Sequence, residues 1–411
     1  MLLIGVAGSG KSTFAKRHFQ ETQILSSDFC RKLISDDEAS QSVSSHAFEL
    51  LYDITDKRLS NKKLTVIDAT NLQSASRQYL KTLAKKHHAQ MVAIVFDLPK
   101  EWCQKRNAAR IRVVPSDVID EQYAMMQVAL KQLTTEKYRE IVYLNNEHDI
   151  ENAQIIFKLL PCNQKSLHGP FDIIGDVHGC YEELLVLLQT LGYHIHTNLI
   201  TSDKAALSHP RNRTLVFVGD LVDRGPYSKQ VLSLVMNAVN YRGALCVRGN
   251  HEDKFLRYLK GKKVTLTHGL EVTASQFPEP SEALYARTIA FIKKLGSHYV
   301  LDEGKLVVAH AGLTEALQER ESGKVLSFAL FGDTTGEVDE RGLPVRNDWA
   351  QTYQGKAVVV YGHTPVKEAI WFNKTICIDT GCVFGGKLTA LQYPEMQLVS
   401  VAANKTYYAY H

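Results

Sequence analysis

Five short apolar runs in the C-terminal part of the chain each end on residues able to hold a cation. They are Ile173-Ile174-Gly175-Asp176-Val177-His178, Val216-Phe217-Val218-Gly219-Asp220, Cys246-Val247-Arg248-Gly249-Asn250-His251, Val307-Val308-Ala309-His310 and Val359-Val360-Tyr361-Gly362-His363. Runs rich in β-branched residues that stop at glycine read as buried strands with a polar residue in the turn that follows. A lone aspartate there is ordinarily a turn former or a helix cap. Repeated Gly-Asp and Gly-Asn turns, each with a histidine or second aspartate close by, argue instead for one metal-binding edge. Carboxylate, imidazole and amide oxygen together suit manganese, iron, zinc or nickel better than magnesium or calcium. Asp176, His178, Asp220, Asn250, His310 and His363 exceed one tetrahedral shell and suffice for two ions sharing Asp220. Such pairs, about 3.5–4 Å apart, serve in-line phosphoryl displacement.

Other residues need roles around that edge. Arg224 and Arg248 flank the ligands and are expected to clamp phosphate oxygens. Ile376-Cys377-Ile378-Asp379 ends another run in a carboxylate. Asp379 either orients a water or the substrate, or shapes a turn. The series GDVHG, GDLVDRGP, GNHE, AHAG and YGHTP, in that order over 171–411, resembles the calcineurin-like metallophosphoesterases. The resemblance implies a β-sandwich with flanking helices and a binuclear centre of two Mn²⁺ or other transition-metal ions. It also implies that His251, paired with Asp223, protonates the leaving oxygen. A structural histidine is the alternative for His251.

The first 160 residues carry a different device. A short strand, Leu2–Ile4, runs into Gly5-Val6-Ala7-Gly8-Ser9-Gly10-Lys11-Ser12-Thr13, with helical sequence from Lys11 to Phe19. This fits G-x-x-x-x-G-K-[ST]: glycines let backbone N–H groups wrap phosphates, Lys11 reaches the β/γ oxygens and Ser12 offers a hydroxyl to Mg²⁺. ATP with Mg²⁺ is the expected ligand. A second strand-like piece, Gln23–Ser27, leads to Asp28 and Arg31. Asp28 is placed to act as general base for an incoming hydroxyl, with an N-cap as its alternative role. Arg31, one helical turn on, is expected to grip a phosphate of the acceptor. Two further strands end at Asp68 and Phe96. Arg106 and Arg110 are spaced i, i+4, so a helix would set both on one face as a lid over the transferring phosphoryl; a solvated basic face is the bland alternative. The D-x-x-R and R-x-x-x-R pattern resembles the polynucleotide 5′-kinase branch of the P-loop phosphotransferases.

The elements that must position these groups form an α/β chain of two domains. The expected boundaries are 1–160 for a parallel P-loop sheet with helices on both faces, 161–170 for a Pro-bounded linker, and 171–411 for the phosphoesterase. The piece from 260 to 296, with Lys262 and Lys263, is expected to cap the second site. Lys+Arg 48 against Asp+Glu 44 leaves no general nucleic-acid coat. Seven cysteines without a CxxC pair read as reduced thiols. Met1-Leu2-Leu3-Ile4 is too short for a signal-peptide core and no apolar run approaches about 20 residues, so a cytoplasmic protein without a membrane partner is expected.

Joined in this order, the halves resemble the bacterial polynucleotide kinase–phosphatase family. That implies an enzyme of RNA repair that phosphorylates 5′-OH ends from ATP and clears 3′-phosphate or 2′,3′-cyclic phosphate from RNA or DNA ends. With no K-x-D-G motif and no room before His411 for the family's ligase domain, a separate ligase is an expected partner. Two other readings stand beside it. One is a protein-serine/threonine or dinucleoside-polyphosphate phosphatase whose P-loop domain senses nucleotide; the other is a nucleotide-gated interaction protein.

Overall fold

The computed structural model describes residues 1–110, 112–277, 282–338 and 344–409. The chain divides into two compact units, Met1–Lys158 and Leu159–His411.

In the first unit five short strands form one sheet in the order Ile24–Ser26, Val66–Asp68, Leu2–Ile4, Val92–Phe96, Glu140–Leu144. All neighbours pair in parallel, as expected of strands joined through helices. Leu3, Ile4, Val66, Ala93 and Val95 are buried, and Phe14, Ala47, Leu51, Met126 and Leu133 from surrounding helices join their core. The P-loop lies at the C-terminal end of the Leu2–Ile4 strand, between Asp68 and Phe96 of its two neighbours.

In the second unit two sheets face one another. One runs Leu245–Cys246, Thr214–Phe217, Phe171–Ile174, Lys387–Tyr393, Gln397–Ala402. Its first three strands are parallel, Lys387–Tyr393 runs antiparallel to them, and Gln397–Ala402 pairs antiparallel with Lys387–Tyr393. The other runs Trp371–Phe372, Thr375–Cys377, Val358–Tyr361, Leu306–Ala309, His298–Leu301, Asn163–Gln164. Ile173, Val216, Val218, Leu306, Val308, Val360, Ile378 and Leu391 fill the space between them. A larger core with Leu184, Leu187, Val231, Val235 and Phe255 on helices covers the first sheet. Each strand that ends in a candidate ligand is thus apolar because both of its faces are covered.

Sequence reading places residues 161–170 in a linker, but they are built into the second unit. Asn163–Gln164 pairs with Val300 and Leu301, and the Cys162 carbonyl accepts from Val300 N–H at 2.8 Å. An edge strand needs only backbone partners, so polar residues between prolines can serve there. Of the expected cap, residues 260–277 and 282–296 are described and include the helices Leu270–Ser275 and Glu282–Lys294; 278–281 lie outside the described residues. No helix of the described residues is long and apolar enough to cross a membrane.

Candidate active sites

The P-loop site opens into a cavity of about 980 Å³ lined by Gly8, Gly10, Lys11, Ser12, Thr13, Asp28, Arg31, Asp68, Arg106, Arg110 and Arg112, among others. Gly8 holds φ +80°, and a Cβ there would run into the Cys103 carbonyl, so the loop can close this tightly only with glycine. Lys11 starts the helix Lys11–His18. Its ammonium donates to the carbonyls of Gly5 at 2.7 Å and Val6 at 2.8 Å, and lies 3.3 Å from Ser9 Oγ. Burial lowers its pKa to about 8.

Three expectations meet corrections here. Asp28 is not the N-cap: Ser26 Oγ accepts from Phe29 N–H, and Asp28 lies in the first turn of the helix Ser27–Ser35. Arg31 does not point free toward an acceptor; it ion-pairs with Asp28 Oδ1, and its Nε donates to the Glu38 carbonyl at 2.9 Å. Arg106 and Arg110 do not share a helix face, because the helix Lys100–Ala108 ends between them. Both still line the cavity, and Arg106 stacks over Trp102 at 4.6 Å. Two contributors escaped the sequence reading. Arg112 donates to Asp28 Oδ2 at 2.8 Å, so the carboxylate is held from both sides. Asp68 lines the same cavity as Ser12, and burial raises its pKa; its place beside the P-loop strand was the available signal.

In the second unit the five strand ends converge. Asp220 Oδ2 lies 3.5 Å from His178 Nε2, 3.9 Å from His251 Nε2 and 3.4 Å from His310 Nε2. Asn250 Oδ1 lies 2.9 Å from His310 Nε2 and 2.9 Å from His363 Nδ1. Two groups capable of holding a cation share Asp220: His178, Asp220, His251 and Asp220, His310, His363. The imidazoles are pre-oriented, since His178 Nδ1 donates to the Val222 carbonyl at 2.8 Å and His310 Nδ1 to Val218 at 3.1 Å, which leaves each Nε2 a lone pair for the centre.

Asp176 reaches the same place with its Oδ2 accepting from His363 N–H at 3.0 Å. Its Oδ1 and His363 Nε2 are buried with no hydrogen-bond partner among the described residues. Orphaned acceptors of this kind, gathered around a shared carboxylate, fit a pair of divalent cations. Burial and the neighbouring Asp379 and Asp220 raise Asp176 well above the usual carboxylate range. Gly362 completes the cradle, because a Cβ there would run into Asp176 Oδ1.

The turns themselves are strained. His178, Asp220, Asp223, Arg224 and His363 all hold left-handed φ, from +44° to +74°, a conformation L residues adopt at a cost. Glu252, unnoticed in the sequence, is the brace. It accepts from the N–H groups of Asp220 at 2.8 Å, Leu221 at 2.7 Å, Val222 at 3.3 Å and Gly249 at 3.0 Å. Its signal was the glutamate of GNHE, at the third position of the helix Asn250–Leu259, where a carboxylate caps orphan N–H groups. His251 Nδ1 lies 2.7 Å from Asp223 Oδ2, the arrangement of an oriented imidazole. Burial raises Asp223 to about 7.

Arg224 reaches His178 Nε2 with Nη1 at 2.7 Å and crosses the Phe384 ring at 5.1 Å. Arg248, expected as a second clamp, points elsewhere. Its Nη2 donates to the Ile292 carbonyl at 3.0 Å, with Lys293 and Leu295 carbonyls at 3.4 Å. It thus satisfies the C-terminal end of the helix Glu282–Lys294, where carbonyls lack partners. Asp379 is buried, accepts from Gly381 N–H at 3.0 Å and raises the pKa of both Asp176 and Asp220; the turn role is the one its contacts show.

Residues 169–399 match the Calcineurin-like phosphoesterase family and residues 1–133 the AAA domain family. The chain is 47% identical over 243 residues to the bis(5′-nucleosyl)-tetraphosphatase PrpE [asymmetrical] of Anoxybacillus flavithermus, covering 58% of this chain and 96% of that protein. It is 46% identical to the PrpE of Halalkalibacterium halodurans, covering 57% and 94%. Among solved structures, a protein serine/threonine phosphatase from Saccharomyces cerevisiae aligns at 16% identity and TM-score 0.39, covering 60% of this chain and 85% of that one.

Proposed function

The chain belongs to the calcineurin-like phosphoesterase family, and from that premise we propose that its second unit hydrolyses dinucleoside polyphosphates. The observation that carries the reading is the match along 96% of a bis(5′-nucleosyl)-tetraphosphatase, joined to a centre whose donors suit phosphoanhydride cleavage. The polynucleotide 3′-phosphatase that the sequence suggests for this unit takes second place.

The family implies divalent cations, and Asp176, His178, Asp220, Asn250, His310 and His363 are the residues that would hold them, with Mn²⁺ fitting this imidazole-rich set. Bound cations supply charge neutralisation and a nucleophile at neutral pH. The remaining work falls to the chain itself. Arg224 binds a phosphoryl oxygen, and Phe384 supports the flat face of its guanidinium. His251 gives a proton from Nε2 to the leaving oxygen while Asp223 holds Nδ1. Glu252 keeps the Asp220 and Asn250 turns from relaxing as charge shifts.

The P-loop unit binds a nucleoside triphosphate with Mg²⁺ at Ser12 in this reading. Asp28, held between Arg31 and Arg112, favours phosphotransfer to a hydroxyl over mere sensing, and a polynucleotide 5′-OH is the proposed acceptor.

Purified protein with Mn²⁺ is expected to release nucleotides from bis(5′-adenosyl) tetraphosphate faster than phosphate from a 3′-phosphorylated oligonucleotide. The reverse order would return the end-healing reading to first place. Lys11→Ala is expected to weaken ATP binding ten- to a hundredfold, the loss of about 1.5–3 kcal/mol for one charge-assisted contact, with tetraphosphate hydrolysis unaltered. Unchanged ATP affinity by calorimetry would remove the P-loop assignment.

A further inference from the structure

The phosphoesterase centre accounts for one phosphoryl group, yet a cationic rim continues beyond it. His251 and Lys254 lie three residues apart on the helix Asn250–Leu259, a spacing that puts both side chains on one helix face. Lys254 Nζ donates to the Thr267 carbonyl at 2.6 Å and lies 3.2 Å from Thr267 Oγ1. That bond pins the segment 260–269 over the end of the site. The same segment is fixed from the other side, where Arg224 N–H donates to the Gly269 carbonyl at 3.3 Å. Lys254 and His268 are thereby brought within electrostatic reach of Arg224.

Asp223 and Glu271 are the carboxylates facing Lys254, and Arg257 is a further cation. Asp223 is already engaged by His251. The half-buried ammonium thus sits among both carboxylates and arginines, and burial is what chiefly lowers its pKa. A chain of anionic oxygens entering at Arg224 would meet Lys254 and His268 along the same rim.

We propose that Lys254, with Arg224 and His268, forms a subsite for phosphates beyond the one being attacked, so that the enzyme selects polyphosphate over monoester substrates. Its position beside His251, which serves the leaving oxygen, assigns the subsite to the leaving group. The inference rests on the phosphoesterase reading above and names which end of the substrate is recognised.

The test compares Lys254→Met and Lys254→Arg in the full chain with saturating Mn²⁺. The methionine variant is expected to lose ten- to a hundredfold in kcat/KM on bis(5′-adenosyl) tetraphosphate, while p-nitrophenyl phosphate hydrolysis changes far less; arginine should recover most of the loss. Inhibition of p-nitrophenyl phosphate hydrolysis by inorganic tripolyphosphate should weaken about tenfold in Lys254→Met, and inhibition by orthophosphate should stay put. Equal losses on both substrates, or unaltered tripolyphosphate inhibition, would overturn the subsite and leave Lys254 as a fastener of the 260–269 segment. If the unmodified protein ignores the dinucleotide yet Lys254→Met still relieves tripolyphosphate inhibition, the subsite stands and the dinucleotide substrate falls.

Discussion

Replacing Asp220 by asparagine is expected to lower phosphohydrolase activity by on the order of a thousandfold, about 4 kcal/mol of barrier. Asp220 is 2% exposed, and its Oδ2 is approached by His178, His251 and His310 at 3.5, 3.9 and 3.4 Å. Asparagine keeps the volume and shape of this centre and removes its one shared charge. The neutral amide also lessens repulsion among buried carboxylates, since Asp220 is itself raised by burial and then by Glu252 and Asp379. Thermal unfolding of the variant without added metal should therefore come no earlier than for the unmodified protein. ATP binding at Lys11 should be untouched. Retention of more than a tenth of the hydrolytic rate in folded Asp220→Asn protein would mean that the shared-ligand assignment is wrong.

The second large effect is on stability. Arg213 is 1% exposed and Asp172, 0% exposed, is bonded to its Nε at 2.8 Å. Arg213 also bonds Glu395 Oε1 at 2.8 Å and the Phe171 carbonyl at 2.7 Å. Tyr193 Oη and Gln392 Nε2 complete the shell of Asp172 at 2.8 and 3.0 Å. Arg213→Met leaves a buried carboxylate without its cation, which costs about 3–5 kcal/mol. The strands Phe171–Ile174 and Thr214–Phe217, whose register begins at this network, lead directly to Asp176 and Asp220. Urea unfolding of the second unit should report the loss, and Arg213→Met combined with Asp172→Asn should recover part of it. A single substitution within about 1 kcal/mol of the starting stability would show the pair to be dispensable.

The amino-acid sequence by itself determined the two α/β folds and pointed to the P-loop and to the polar strand ends that the second unit gathers. Apolar strand runs that stop at glycine are local signals, and the P-loop and the Asp, Asn and His strand ends are read directly from spacing. Tertiary structure alone decided which of those groups face each other. Arg248 and Arg224 look equivalent in sequence, yet Arg248 closes the end of the helix Glu282–Lys294 while Arg224 reaches His178. The end of the helix Lys100–Ala108 separates Arg106 from Arg110, and the chain then returns Arg112 to Asp28, a contact 84 residues away. Glu252, Lys254 and the strand Asn163–Gln164 owe their roles to partners distant in sequence: backbone N–H groups of the Asp220 turn, the Thr267 carbonyl, and an unpaired sheet edge. Periodicity reports what a residue is and which face it occupies; a charge-assisted bond depends on the partner that folding brings to that face, and no local pattern encodes it.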